Sequence, residues 1–119
     1  MKKTIVLGAS TNPTRYSHTV TKRLNNHGFE TIPVGIKKGD IDGLVIQNGQ
    51  PDIEGVDTIT LYMNPQRQEP LYDYIIGLNP KRIIFNPGTE NPVLMKMAKD
   101  AGIEPVVACT LVMLATGEY

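Results

Sequence analysis

The segment Gly8-Ala9-Ser10-Thr11-Asn12-Pro13-Thr14-Arg15-Tyr16-Ser17 follows an apolar run and leads into a stretch of helical period. Gly8 permits a sharp backbone turn. Around Ala9, Ser10, Thr11, Asn12 and Ser17 offer polar side chains and amide donors beside a helix N-terminus, which suits a phosphate or pyrophosphate. Arg15 can fork onto the same anion. The loop lacks the second and third glycines of G-x-G-x-x-G, so an ordinary Ser- and Pro-rich turn that caps a helix is the alternative reading. Dinucleotide sites usually carry an acid at the end of the second strand to hold a ribose diol. Here that end reads Pro33-Val34-Gly35-Ile36-Lys37-Lys38, with two lysines and no acid. This suits a ribose bearing a phosphate, as in NADP or coenzyme A, and a solvated lysine pair is the bland counterpart.

Two further loops carry polar groups. Asn86-Pro87-Gly88-Thr89-Glu90-Asn91 follows an apolar run, and Asn86, Thr89 and Glu90 are expected to face the same crevice beside a flexible Gly88. Helix punctuation explains the same residues, since Asn91-Pro92 is a good helix start. Asn64-Pro65 is equally two-sided. Cys109 precedes a helix, where amide donors favour a thiolate. A nucleophile wants a base nearby, however, and the histidines, His18 and His27, lie on the first helix, so a packing thiol is the favoured reading.

The elements that position these loops follow from periodicity. Apolar runs at residues 4–7, 31–34, 58–62, 82–85 and 105–108 read as strands covered on both faces. A helix capped by Ser17 carries Val20 and Leu24 and closes at Gly28. Pro70 fits only a first turn, which predicts a helix over residues 70–77. Asn91-Pro92 opens a helix with Leu94, Ala98 and Ala101 on one stripe, ending at Gly102, and a last helix covers residues 110–116. Residues 35–54 read as a long connection with a short helix or strand at 41–46. Alternating units of this kind make an α/β, Rossmann-like, doubly wound open parallel sheet of about five strands with helices on both faces, in a single domain over residues 1–119. Ligands of such sheets bind beyond the carboxyl ends of the strands.

The composition narrows the function further. Twelve Lys+Arg balance 12 Asp+Glu in 119 residues, so no broad electrostatic footprint exists for nucleic acid or an anionic membrane. One cysteine and two histidines give no metal-ligand spacing. The run Ile5-Val6-Leu7 is too short for a signal-peptide core, and no stretch approaches the roughly 20 apolar residues of a membrane span, so a cytoplasmic location is expected.

Ile5-Val6-Leu7-Gly8-Ala9-Ser10 with Pro13, Arg15 and Ser17, then Gly28-Phe29, Ile32-Pro33-Val34, Val56-Asp57, the Pro87-Gly88 turn and Ala101-Gly102-Ile103, resembles the small CoA-binding-domain proteins. These are similar to the CoA-binding domain of the succinyl-CoA synthetase alpha subunit, and the resemblance covers nearly the whole chain. It implies coenzyme A or an acyl-CoA as ligand. The Gly8 to Ser10 turn, Arg15 and Ser17 would then hold the phosphates. Pro33, Val34 and Lys37 would lie along the adenosine end, with the loop from Asn86 to Glu90 lining the crevice. In the synthetase the phosphohistidine belongs to a second domain, so ligase activity is not implied here. The leading expectation is a non-catalytic module acting as sensor or carrier, with a homodimer or a partner protein compatible with the apolar segment at residues 111–114. The alternatives are an NADP-type reductase or partial acyl-CoA enzyme using Cys109, and a structural module with no ligand.

Overall fold

Four-residue strands rich in Ile, Val, Leu and Thr form the main sheet in a computed structural model that describes residues 2–119. In chain order the strands are β1 (Thr4–Leu7), β2 (Thr31–Val34), β3 (Asp40–Ile41), β4 (Leu44–Val45), β5 (Thr58–Leu61), β6 (Arg82–Phe85) and β7 (Glu104–Val107). Five of them pair in parallel in the order β2-β1-β5-β6-β7. The helices are α1 (Tyr16–Asn26), α2 (Pro65–Gln68), α3 (Tyr72–Gly77), α4 (Pro92–Asp100) and α5 (Thr110–Thr116). Two faces of the same strands feed two apolar clusters. Ile5, Leu7, Ile59, Leu61, Ile83 and Phe85 pack against Ile75 of α3 and Leu94 and Ala98 of α4. Val6 and Ile84 pack against Val20 and Leu24 of α1 and Leu114 of α5. Full burial of each large aliphatic side chain contributes about 1.5–3 kcal/mol, and this two-sided covering accounts for the apolar runs of β1 and β6, whereas the edge strand β7, expected to be covered on both faces, is only partly covered, with Glu104 and Val107 exposed. The expected α/β, Rossmann-like sheet with helices on both faces is thus the observed fold.

Local departures have local causes. The helix expected over residues 70–77 starts earlier. Asn64 accepts a hydrogen bond from the Arg67 amide at 3.0 Å and Pro65 takes the first position, so α2 begins there. Pro70 then forces a tight 3-10 turn at Glu69–Leu71 before α3. Ser17 is not a cap. Arg15 holds that position with no side-chain cap, and Ser17 is a buried residue of the first turn of α1. Asn91 caps α4 through the amides of Val93 and Leu94. Within residues 35–54, β3 and β4 pair as an antiparallel hairpin. Its turn places Asp42 and Gly43 at φ of 50° and 84°, the left-handed pair that an Asp-Gly hairpin turn requires.

The carboxyl ends of the central strands are tied together by one buried amide. Asn86 donates to the Thr60 hydroxyl at 2.7 Å and to the Leu61 carbonyl at 2.8 Å. Its oxygen accepts from the amide and the hydroxyl of Thr110, each at 2.9 Å. The expectation that Asn86 faces the crevice is therefore corrected: its side chain points inward, joining β5, β6 and the start of α5. Replacing it by alanine leaves buried donors and acceptors short of partners. Asn86→Ala should lower stability by about 2–4 kcal/mol. Urea unfolding should show a reduced midpoint at an unchanged slope, and a midpoint equal to wild type would refute the clamp.

Candidate functional site

Strand order decides where a site can form. From β1 the chain steps out to β2 on one side and later crosses back to β5 on the other, so the winding of the sheet reverses at β1. In an open parallel sheet the crevice at such a reversal is the place for a ligand. A cleft of about 490 Å³ lies there, walled by the loops after β1, β2, β5 and β6.

The floor is built by close backbone approaches. The amides of Gly8 and Ala9 both donate to the Val34 carbonyl, each at 2.9 Å. Gly8 has φ of +98°, and a Cβ there would stand 2.5 Å from the Tyr62 carbonyl oxygen. At Gly35 a Cβ would stand 2.4 Å from the Ala9 carbonyl oxygen. Only glycine allows these loops to touch main chain to main chain. The consequence for chemistry is a division of labour within the first loop. The Gly8 and Ala9 amides are spent on the fold, and the Asn12 amide is spent on the Ser10 hydroxyl at 3.1 Å. The amides of Ser10, Thr11, Tyr16 and Ser17 have no acceptor among the described residues. Two of these four open the first turn of α1, where the helix dipole favours an anion.

Charge at the cleft is of one sign. Arg15, Lys37 and Arg67 line it, and no Asp or Glu does. Among the described residues the ion pairs use Lys3, Lys22, Lys81 and Lys96 instead, so the three cleft cations are unpaired. Tyr62 also lines the cleft, and burial, reinforced by the nearby Cys109, raises its phenol far above the ordinary value. It stays protonated through the neutral range. Neither histidine lines the cleft, and Cys109 does not either.

Ten of the residues expected from the sequence meet at this cleft: Gly8, Ala9, Ser10, Asn12, Arg15, Ser17, Lys37, Asn64, Pro87 and Gly88. Four do not. Pro33 and Val34 are buried within β2, and Val34 acts only through its carbonyl. Asn86 is the inward clamp. Glu90 lies outside the cleft, its carboxylate accepting from the Gly88 amide at 2.8 Å. Lys38, paired with Lys37 in the sequence, does not reach the cleft. The residues that strand-end reasoning missed are Tyr16, Gly35, Ile36, Tyr62, Met63 and Arg67. For Arg67 the sequence does hold a signal, since Asn64-Pro65 starts a helix whose first turn carries it.

Comparison with known proteins agrees with this geometry. A crystal structure of an uncharacterized protein is 55% identical, superposes with a TM-score of 0.97, and is covered over 98% of its length by 100% of this chain. A hypothetical protein from Pyrococcus horikoshii OT3 is 26% identical with a TM-score of 0.87, matching 97% of this chain and 82% of that one. A conserved hypothetical protein from Pyrococcus furiosus is 27% identical with a TM-score of 0.82, matching 94% and 98%. No curated protein matches the chain. The profile described as CoA binding domain matches residues 2–115, and with that span the chain belongs to the CoA-binding-domain family.

Proposed function

We propose that the chain binds coenzyme A or an acyl-CoA at the cleft between the loops after β1, β2, β5 and β6, without transforming it, as a sensor or carrier module. The observation that carries this reading is the set of three unpaired cations and four open amides in a cleft that no acid lines. Coenzyme A presents a diphosphate and a ribose 3′-phosphate, and a neutral or cationic ligand would leave those donors unmatched. On this reading Arg15 and the amides at the start of α1 hold the diphosphate, and Lys37 meets the ribose phosphate. A charge-assisted hydrogen bond of this kind contributes about 1.5–3 kcal/mol. General acid or base work near neutral pH needs a group that titrates there. The cleft has no His, Asp or Glu, and its Tyr62 is held protonated. These features favour binding over the NADP-reductase and Cys109 readings.

Isothermal titration of the purified protein with CoA tests the reading, and absence of heat at millimolar ligand would refute it. Arg15→Glu is expected to weaken CoA at least about tenfold, because an attractive pair becomes a repulsive one. Dephospho-CoA, lacking the 3′-phosphate, is expected to bind about tenfold more weakly than CoA to the wild type and no more weakly than CoA to Lys37→Ala. Equal affinities for CoA and dephospho-CoA in the wild type would remove Lys37 from the phosphate.

A further inference from the structure

We infer that Asn48 is a positioning residue for the ribose-phosphate end of the cleft: it holds the main chain of Lys37 and so sets how strongly the protein prefers CoA to dephospho-CoA. The inference rests on the CoA reading above, in which Lys37 meets the 3′-phosphate, and it assigns a role to a residue that does not itself line the cleft.

The segment that carries Lys37 is anchored at both ends and bare in the middle. At its start, Gly35 lies against the Ala9 carbonyl, and its amide donates to the Gln47 carbonyl at 3.0 Å. At its end, Gly39 has φ of +147°, and a Cβ there would stand 2.5 Å from Thr11 Cγ2 of the first loop. The Gly39 carbonyl accepts from the Ile46 amide at 2.9 Å. Between these points the main chain of Ile36, Lys37 and Lys38 makes one hydrogen bond among the described residues. It comes from the Asn48 side chain, which donates to the Lys37 carbonyl at 3.0 Å. The same nitrogen donates to the Gly35 carbonyl at 2.8 Å. A carboxamide has two N–H groups on one nitrogen, and here they tie together the carbonyls on either side of Ile36.

Asn48 can act as a fixed point because the β3–β4 hairpin that precedes it is docked. Ile41 and Ile46 are buried and pack with Val20 and Leu24 of α1. The Gln47 amide donates to the Pro33 carbonyl, so the chain returning from the hairpin runs beside the end of β2 and reaches the loop it left. Lys37 forms no ion pair among the described residues, so no side-chain contact of that kind holds it either. A lysine is a point charge on a flexible stem, and ordering both that stem and a loose main chain on binding costs affinity. Asn48 removes the main-chain share of that cost before the phosphate arrives.

Isothermal titration of the full chain with CoA and dephospho-CoA tests this in the wild type, in Asn48→Leu, in Asn48→Ala, and in Asn48→Leu combined with Lys37→Ala. Leucine keeps the branched shape of asparagine and removes both donors. Against a wild-type preference of about tenfold for CoA, each single variant is expected to keep about threefold or less, the loss falling on CoA. In the Lys37→Ala background, Asn48→Leu is expected to change the ratio of the two affinities by less than about twofold, because no ammonium is left to position. A ratio that stays near the wild-type value in both Asn48 variants overturns the inference alone, whether or not their unfolding midpoints fall, and makes Asn48 a residue of the fold only. A ratio that falls further in the Lys37→Ala background also overturns it, since Asn48 would then act on the phosphate without Lys37. A wild type that binds CoA and dephospho-CoA equally removes Lys37 from the phosphate and the inference with it. One that binds neither refutes the CoA reading and the inference together.

Discussion

The main chain of three strands comes together at the carboxyl end of β1, and the site depends on that contact. Two successive amides, Gly8 and Ala9, converge on the single carbonyl of Val34, while Gly8 and Gly35 sit where any side chain would collide with a neighbouring carbonyl. The first loop is thereby pinned between β2 and β5 before it reaches α1. Further along, the amides of Asn12, Thr14 and Arg15 bond within the loop, while those of Ser10, Thr11, Tyr16 and Ser17 are left without an acceptor among the described residues. Donors fixed in this way need little rearrangement when an anion arrives, which lowers the entropic cost of binding.

Electrostatics are sorted between the two ends of the sheet. Lys3 pairs with Glu30 at 3.7 Å and Lys81 with Asp57 at 3.9 Å, all four residues lying at the amino ends of strands or just before them. Such exposed pairs contribute little to stability, on the order of 0–1 kcal/mol. Two acids at the amino end are thus matched, while Arg15, Lys37 and Arg67 at the cleft have no acidic partner among the described residues. A chain of zero net charge therefore presents a local positive field at its cleft, suited to a small anionic ligand.

The inner strands were legible because runs such as Ile5-Val6-Leu7 and Ile83-Ile84-Phe85, buried on both faces, leave an apolar pattern, and β7 was legible from Val106-Val107 although it is only partly covered. The first loop was legible because glycine followed by hydroxyl residues just before a helix combines a tight turn with a row of donors. The β3–β4 hairpin was not resolved. Two-residue strands carry no periodicity, and only the Asp42-Gly43 turn announced them. Asn86 illustrates a different limit. A polar residue at a strand end can turn outward to a ligand or inward to the fold, and its inward direction is set by Thr60 and Thr110, which stand 26 and 24 residues away. Arg67 joins the cleft only because β5 neighbours β1, a relation of topology that local spacing does not contain. Pro33 and Val34 carried the family likeness for a reason internal to the sheet, where Val34 supplies the carbonyl that pins the first loop.

Both outermost strands of the sheet contain a proline, Pro33 in β2 and Pro105 in β7. Each strand therefore lacks one of the N–H groups through which another strand would add to the edge. On the β2 side the remaining edge is further occupied, since the Gln47 amide donates to the Pro33 carbonyl at 3.0 Å. Each margin is thus one donor short for pairing with a further strand, and the β2 margin is partly covered as well. The two prolines therefore make the outer strands poorer templates for a neighbouring molecule's backbone than their Val and Ile content alone would suggest.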